Sequence, residues 1–269
     1  MKSENETAEI APRPLGGGYV NYDVFDPDLI PLHVFSGPEV GERAPGFVAT
    51  GTDGNPVSLS GFRGKTVVLE TGSYTCPMHN GDIDAMSQLQ KKYPGVVFLV
   101  LYVREAHPGE KIPGHRTMND KIGLARKLED NPGENRTILV DDVDGTTHQL
   151  YGALPNSVHI INGLGIVAFR SDWNNVVLVD QVLAELQEDE DARLNMEHYP
   201  KKPPMFSRNG VPVLLRGGWR AVWDMVVAVP GMIRAHKLAA ASFPSERTFT
   251  GAKSSLEAPR TASGLDDQG

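Results

Sequence analysis

One cysteine, Cys76, stands among 269 residues, between an apolar β-branched run and the start of a helical pattern. At such a junction the first helical turn points free N–H groups and the positive end of the helix dipole at the sulfur. That favours the thiolate, and thiols so placed have pKa values of about 3.5 to 7.5. Pro77 at the helix start and the polar neighbours Ser73, Thr75 and His79 argue for a reactive thiol over a small buried hydrophobe. His79 itself is expected to face solvent on the helix. A lone cysteine forms no intrachain disulfide and no cysteine-based zinc site, so a redox partner must come from outside.

A second group of titratable residues closes the next apolar run. Val96 to Val103 has no polar side chain except the Tyr102 hydroxyl, and so continuous a run predicts a strand covered on both faces. Tyr102, Glu105 and His107 fall at its carboxyl end, where α/β sheets bind ligands. In an extended chain Glu105 and His107 share one face. A carboxylate and an imidazole together hold and deliver a proton near neutral pH. Tyr102 is equally accounted for as a packed core aromatic, and His115, beside Pro113 and Gly114, as a loop residue. His148, His159, His198 and His236 have no metal-site spacing, so no metal is expected, and no cofactor. Arg170 is the candidate for a substrate carboxylate.

The elements that must carry these residues follow from the pattern. Phe47 to Ala49 and Val57 to Leu59 flank Asp53, Gly54 and Asn55, the composition of a short hairpin. Thr66 to Leu69 is a strand ending at Glu70. Ile83, Met86, Leu89 and Tyr93 recur at helical spacing before Gly95. Thr117 opens another helix through Ile122, Ala125 and Leu128. Thr137 to Val140 is a further strand, and Val158 to Ile161 pairs with Ile166 to Phe169 across Asn162 to Gly165. Val179, Val182, Leu183 and Leu186 make a last amphipathic helix. The expected class is α/β, a mixed central sheet with helices on both faces.

Residues 1–45, rich in Pro and Gly, are expected to be an irregular N-terminal extension, 46–189 the folded domain, and 190–269 a C-terminal extension. That last part holds a connector, an apolar segment over 211–235 and a polar, disordered tail from Ser242. Arg216, Arg220 and Asp224 interrupt the apolar segment, which speaks against a spanning helix. A helix docked on the domain, or on a second copy, is favoured over one lying on a membrane surface. The first ten residues carry three Glu and no apolar core, unlike a signal peptide or anchor, so a cytoplasmic location is expected. With 26 Lys and Arg against 34 Asp and Glu, the net charge of -8 argues against nucleic acid.

A resemblance sharpens this picture. Gly41-Glu42-Arg43-Ala44-Pro45, then Asp53-Gly54, Leu59, Arg63-Gly64-Lys65 and Cys76-Pro77, is similar to the opening of the redoxin branch of the thioredoxin-like superfamily. Gly72-Ser73-Tyr74-Thr75-Cys76-Pro77, Phe98 to Pro108 with its Glu105-Ala106-His107-Pro108, Ile112 to Arg116, and Tyr151-Gly152-Ala153 resemble the iodothyronine deiodinases in the same order. The resemblance spans roughly residues 41 to 187. It implies a thioredoxin-like fold and reductive removal of iodine from an aromatic ring, usually by a selenocysteine, whose position Cys76 holds. Sulfur is the weaker nucleophile and poorer leaving group, so a slower reaction is expected. Ser73, Thr75, Tyr102, Glu105 and His107 are placed with Cys76 in catalysis, and His115 in substrate binding. Vertebrate members carry a membrane anchor that the N-terminal residues here do not resemble.

Pro155 departs from that family. It stands eight residues before Gly163, where thioredoxin-like proteins place a cis-proline beside the active cysteine, and it is expected in the substrate site. The alternative is a trans loop proline. The expected activity is thiol-dependent dehalogenation with an external thiol or thioredoxin as reductant. The alternatives are a one-cysteine thiol peroxidase or general thiol oxidoreductase acting on peroxide or disulfide, and a noncatalytic binding module using Trp219 and Trp223. Ser73 and the absence of arginine at Pro155-Asn156-Ser157 argue against the peroxidase. A homodimer is left open.

Overall fold

The computed structural model describes residues 19, 21–30, 36–189 and 210–242. Readings on the N-terminal ten residues, the Gly16 to Gly18 run, the 190–209 connector and the tail beyond Ser242 lie outside the described residues. Seven strands form one mixed sheet in the order β2-β1-β5-β4-β3-β6-β7. They are β1 (Val48–Gly51), β2 (Pro56–Ser58), β3 (Val67–Gly72), β4 (Val97–Tyr102), β5 (Thr137–Val140), β6 (Val158–Ile161) and β7 (Val167–Ser171). β3, β4 and β5 run parallel, while β1 and β6 flank them antiparallel. The Val96 to Val103 run is the middle strand, as its unbroken apolarity predicts. β3 runs on past Glu70 to Gly72.

The helices are α1 (Pro77–Lys92), α2 (Met118–Glu129), α3 (Thr146–Leu150), α4 (Val176–Glu188), α5 (Gly210–Gly217) and α6 (Trp219–Ser242). Because strand side chains alternate, Val68, Phe98, Val158 and Ile160 meet Met86 of α1 and Val179, Val182 and Leu183 of α4 on one face. Val67, Leu69, Leu99 and Leu101 meet Phe47, Tyr151 and Leu150 at the end of α3 on the other. Together these form the mixed sheet with helices on both faces that the sequence pattern predicts, in the thioredoxin-like arrangement that the resemblance implies. Thr117 starts α2 with a reciprocal capping box to Asp120, fixing the exit from the loop after β4.

The C-terminal apolar segment folds back onto the domain as two helices broken at Gly218 (φ 110). The carboxylate of Glu110 accepts from the Trp219 and Arg220 N–H groups at 2.7 and 2.9 Å and so caps α6. Arg216 of α5 donates to the Tyr74 and Asn80 side of the cysteine loop at 2.8 and 2.6 Å, its guanidinium 4.3 Å over the Tyr74 ring. No helix among the described residues is long and apolar enough to cross a membrane.

Candidate active site

Cys76 is the N-cap of α1, with Pro77 in the first helical turn. Its loop is stitched to the loop after β4 by short-range polar contacts between residues that the sequence places far apart. The Thr75 hydroxyl donates to Glu105 Oε2 at 2.5 Å and accepts from the His107 N–H at 3.1 Å, while the Thr75 N–H donates to the same carboxylate at 2.9 Å. Ser73 Oγ accepts from the Ala106 N–H at 3.2 Å. The Tyr102 hydroxyl donates to Glu105 Oε1 and accepts from the Tyr74 N–H at 3.4 Å. His115 Nε2 lies 3.5 Å from Glu105 Oε1. Thus Ser73, Thr75, Cys76, Tyr102, Glu105, His107 and His115 converge at the carboxyl edge of β3 and β4, with Glu105 at the hub.

Two protonation states differ from expectation. Cys76 is only 2% exposed, and its thiol is pushed up to about 12. Desolvation is the main cause; the Met78 and His79 N–H groups do pull it down, as helix-start geometry dictates, but the Glu70 and Glu105 carboxylates oppose them. The helix start is therefore present and outweighed. His107 is likewise pushed down to about 4 by burial, against the pull of Glu105. In this closed arrangement the pair is a thiol and a neutral imidazole, not a thiolate and an imidazolium. Burial alone would raise Glu105, yet contacts with His115, Thr75 and Tyr102 leave it below the usual carboxylate range.

His79 does not face solvent. Its Nδ1 lies 3.1 Å from Glu70 Oε1 beneath the cysteine loop, with both side chains fully buried. Glu70 also receives Asn156 Nδ2 at 2.8 Å, Asn174 Nδ2 at 3.1 Å and the Arg136 guanidinium, which Glu134 holds from its other side. Gly72 gives the ring its room: a Cβ there would sit 2.5 Å from His79 Nδ1. This cluster is hidden in the sequence pattern, although a charged Glu70 inside an apolar strand signals that partners exist.

Pro155 is not a cis-proline, because no cis peptide bond occurs among the described residues. Gly152 and Ala153 just before it are both at positive φ (96° and 55°). Arg170 is committed elsewhere, donating to the Pro38 carbonyl at 3.0 Å and to Glu39 at 2.8 Å. His148 bonds the Leu154 carbonyl at 2.9 Å, and His159 packs on Tyr151. Among the described residues no group of three or more His, Cys, Asp or Glu side chains is placed to hold a metal.

Fold and site together define a protein of mixed seven-stranded sheet and helices whose lone cysteine stands at the helix start beside the sheet edge. The chain belongs to the iodothyronine deiodinase family, whose pattern matches residues 32–172. Thyroxine 5-deiodinase of Ovis aries is 32% identical over 107 residues, covering 36% of this chain and 36% of its own length. The Homo sapiens protein of the same name is 31% identical over 108 residues, 36% of this chain and 35% of its own. The chain thus spans about a third of the length of these curated relatives. Among solved structures, a secreted Mycobacterium tuberculosis disulfide oxidoreductase homologous to E. coli DsbE is 20% identical over 52% of this chain and 96% of its own (TM-score 0.42). A thiol:disulfide interchange protein DsbE of Chlorobium tepidum is 23% identical over 55% and 98% (TM-score 0.44).

Proposed function

We propose that the protein removes iodine reductively from an iodinated aromatic ring, with Cys76 as nucleophile. The observation that carries this is the convergence of Cys76 with the Tyr102, Glu105, His107 and His115 set in one buried cluster. The thiol begins protonated and His107 begins neutral, so the imidazole takes the thiol proton as the sulfur attacks iodine. The carbon–iodine bond breaks with its electron pair left on carbon, which takes that proton from His107. The aromatic ring gains hydrogen, and the sulfur leaves as a sulfenyl iodide. Two molecules of external thiol then restore Cys76, giving their disulfide, iodide and a proton. Every proton in the first half comes from Cys76 itself, so the burial of both groups is compatible with turnover. Glu105, fixed by Thr75 and Tyr102, is the negative group that stabilises the imidazolium while it exists.

The test is iodide release from an iodophenol under excess dithiol by the full chain. Cys76→Ala is expected to abolish release, and His107→Ala to lower it about a hundredfold, the scale of general acid–base catalysis. Release surviving in both variants would sink the assignment.

A further inference from the structure

The family match begins at residue 32 and ends at 172, yet the site is roofed by chain from beyond both limits. Tyr22, Phe25 and Ile30 pack with Ala228 and Met232 of α6, with Leu154 and Trp173, and with Met78, the second residue of α1. The Phe25 ring lies against His107, centroids 4.4 Å apart and planes inclined by 47°. The Tyr22 hydroxyl donates to the Ala106 carbonyl at 3.0 Å, clamping this strap onto the loop that carries Glu105 and His107. Under it His107 Nδ1 is buried with no hydrogen-bond partner.

The Phe25 ring covers one face of the His107 imidazole, so a molecule that stacks on that face has to occupy the space Phe25 now fills. The side chain in that space is a flat apolar ring on an imidazole face, walled by Leu154, Met78 and Trp173, and such a pocket fits another flat ring. The unpartnered Nδ1 beside it is available to a polar substituent on that ring. Aliphatic ligands of similar size forgo the ring contact.

We propose that Phe25 is a stand-in for the substrate: its ring fills an aryl slot on His107, and an incoming phenol-type ring binds by displacing it. Phe25 then sets specificity for aromatic over aliphatic compounds and keeps Cys76 covered when no such ring is present. Naming the occupant as a halogenated phenol rests on the dehalogenation reading, whereas the slot itself does not.

The test uses the full chain, in which Cys76 is the only thiol that iodoacetamide can alkylate, scored at that residue. Phe25→Ala is expected to speed alkylation about tenfold or more, since thiol reactivity follows exposure. Phenol is expected to slow alkylation of that variant at concentrations where cyclohexanol does not. Equal alkylation rates in the parent and Phe25→Ala overturn the proposal, as does equal protection by phenol and cyclohexanol. Phe25→Leu keeps apolar bulk without the ring and guards against a folding defect: its rate is expected between the other two, and a rate at or below the parent's overturns the proposal. Alkylation reads the slot and iodide release reads the chemistry, so the two proposals fail separately.

Discussion

The floor and the roof of the site are held by opposite means. Beneath Cys76, Glu70, His79, Arg136 and Glu134 are all buried and joined through ionic and amide contacts, with Arg136 at 1% exposure between two carboxylates. Above it, strap and α6 meet through apolar side chains, and their ion pairs lie in water: Arg234–Asp28 at 2.9 Å has side chains 70% and 65% exposed. A buried ionic cluster gains little over apolar packing when whole but loses heavily when one member is removed. Exposed pairs contribute little either way. The fold therefore fixes the cysteine loop from below and leaves the covering layer easier to lift.

The sharpest way to break this contrast is to remove the central cation of the floor. Arg136→Met strands Glu70 and Glu134 in a dry interior and is expected to cost about 3–5 kcal/mol, read as a lower urea midpoint. A loss under about 1 kcal/mol would place floor and roof in the same class.

Acid separates the two regions by their titration ranges. His107 under the roof and His159 in β6 are pushed down to about 4 and about 3, by burial, from 6.5. The unfolded chain protonates them first, so their neutral, buried state is fully stable above about 6.5 and loses stability as pH falls toward those values. Glu70, in the floor, is held near 2; burial would raise it, but Arg136 and His79 outweigh that. Its contribution is present above the ordinary value of 4.5 and is lost as pH falls toward 2. Urea midpoints should decline first below about pH 6.5 and again below about 4.5. In Phe25→Ala, water reaches His107, so its share of the first decline should shrink while the second stays. A midpoint flat from pH 7 to 4 would show that the histidines are not held neutral.

How far the sequence could foresee this divides along the same line. Strand runs such as Val96 to Val103 and the helix start at Thr117 are local and legible because neighbouring residues impose them. Cys76 at a helix start was legible too, and the Met78 and His79 N–H groups do act on it. Its protonation was not, because burial is set by packing from far away in the chain, as where Tyr22, Phe25 and α6 meet Met78 beside it, and desolvation outweighs a helix terminus. His79 was misjudged for the same reason. One helical turn does not reveal that Glu70 meets it from β3, or that Arg136 reaches Glu70 from 66 positions on. Pro155 shows the converse error: a spacing matched a cis-proline pattern, yet the peptide bond is trans.

The smallest effect comes from the roof's outer rim, and its size is what makes it informative. Arg234→Ala removes an ion pair whose partners stay hydrated, so global stability should change by less than about 1 kcal/mol. Strap and α6 would still be joined by Tyr22, Phe25, Ala228 and Met232. Cys76 alkylation by iodoacetamide should therefore rise no more than about fivefold, the factor that 1 kcal/mol of opening free energy allows. A larger rise at unchanged urea midpoint would mean that the rim pair, and not the apolar seam beneath it, holds the roof shut.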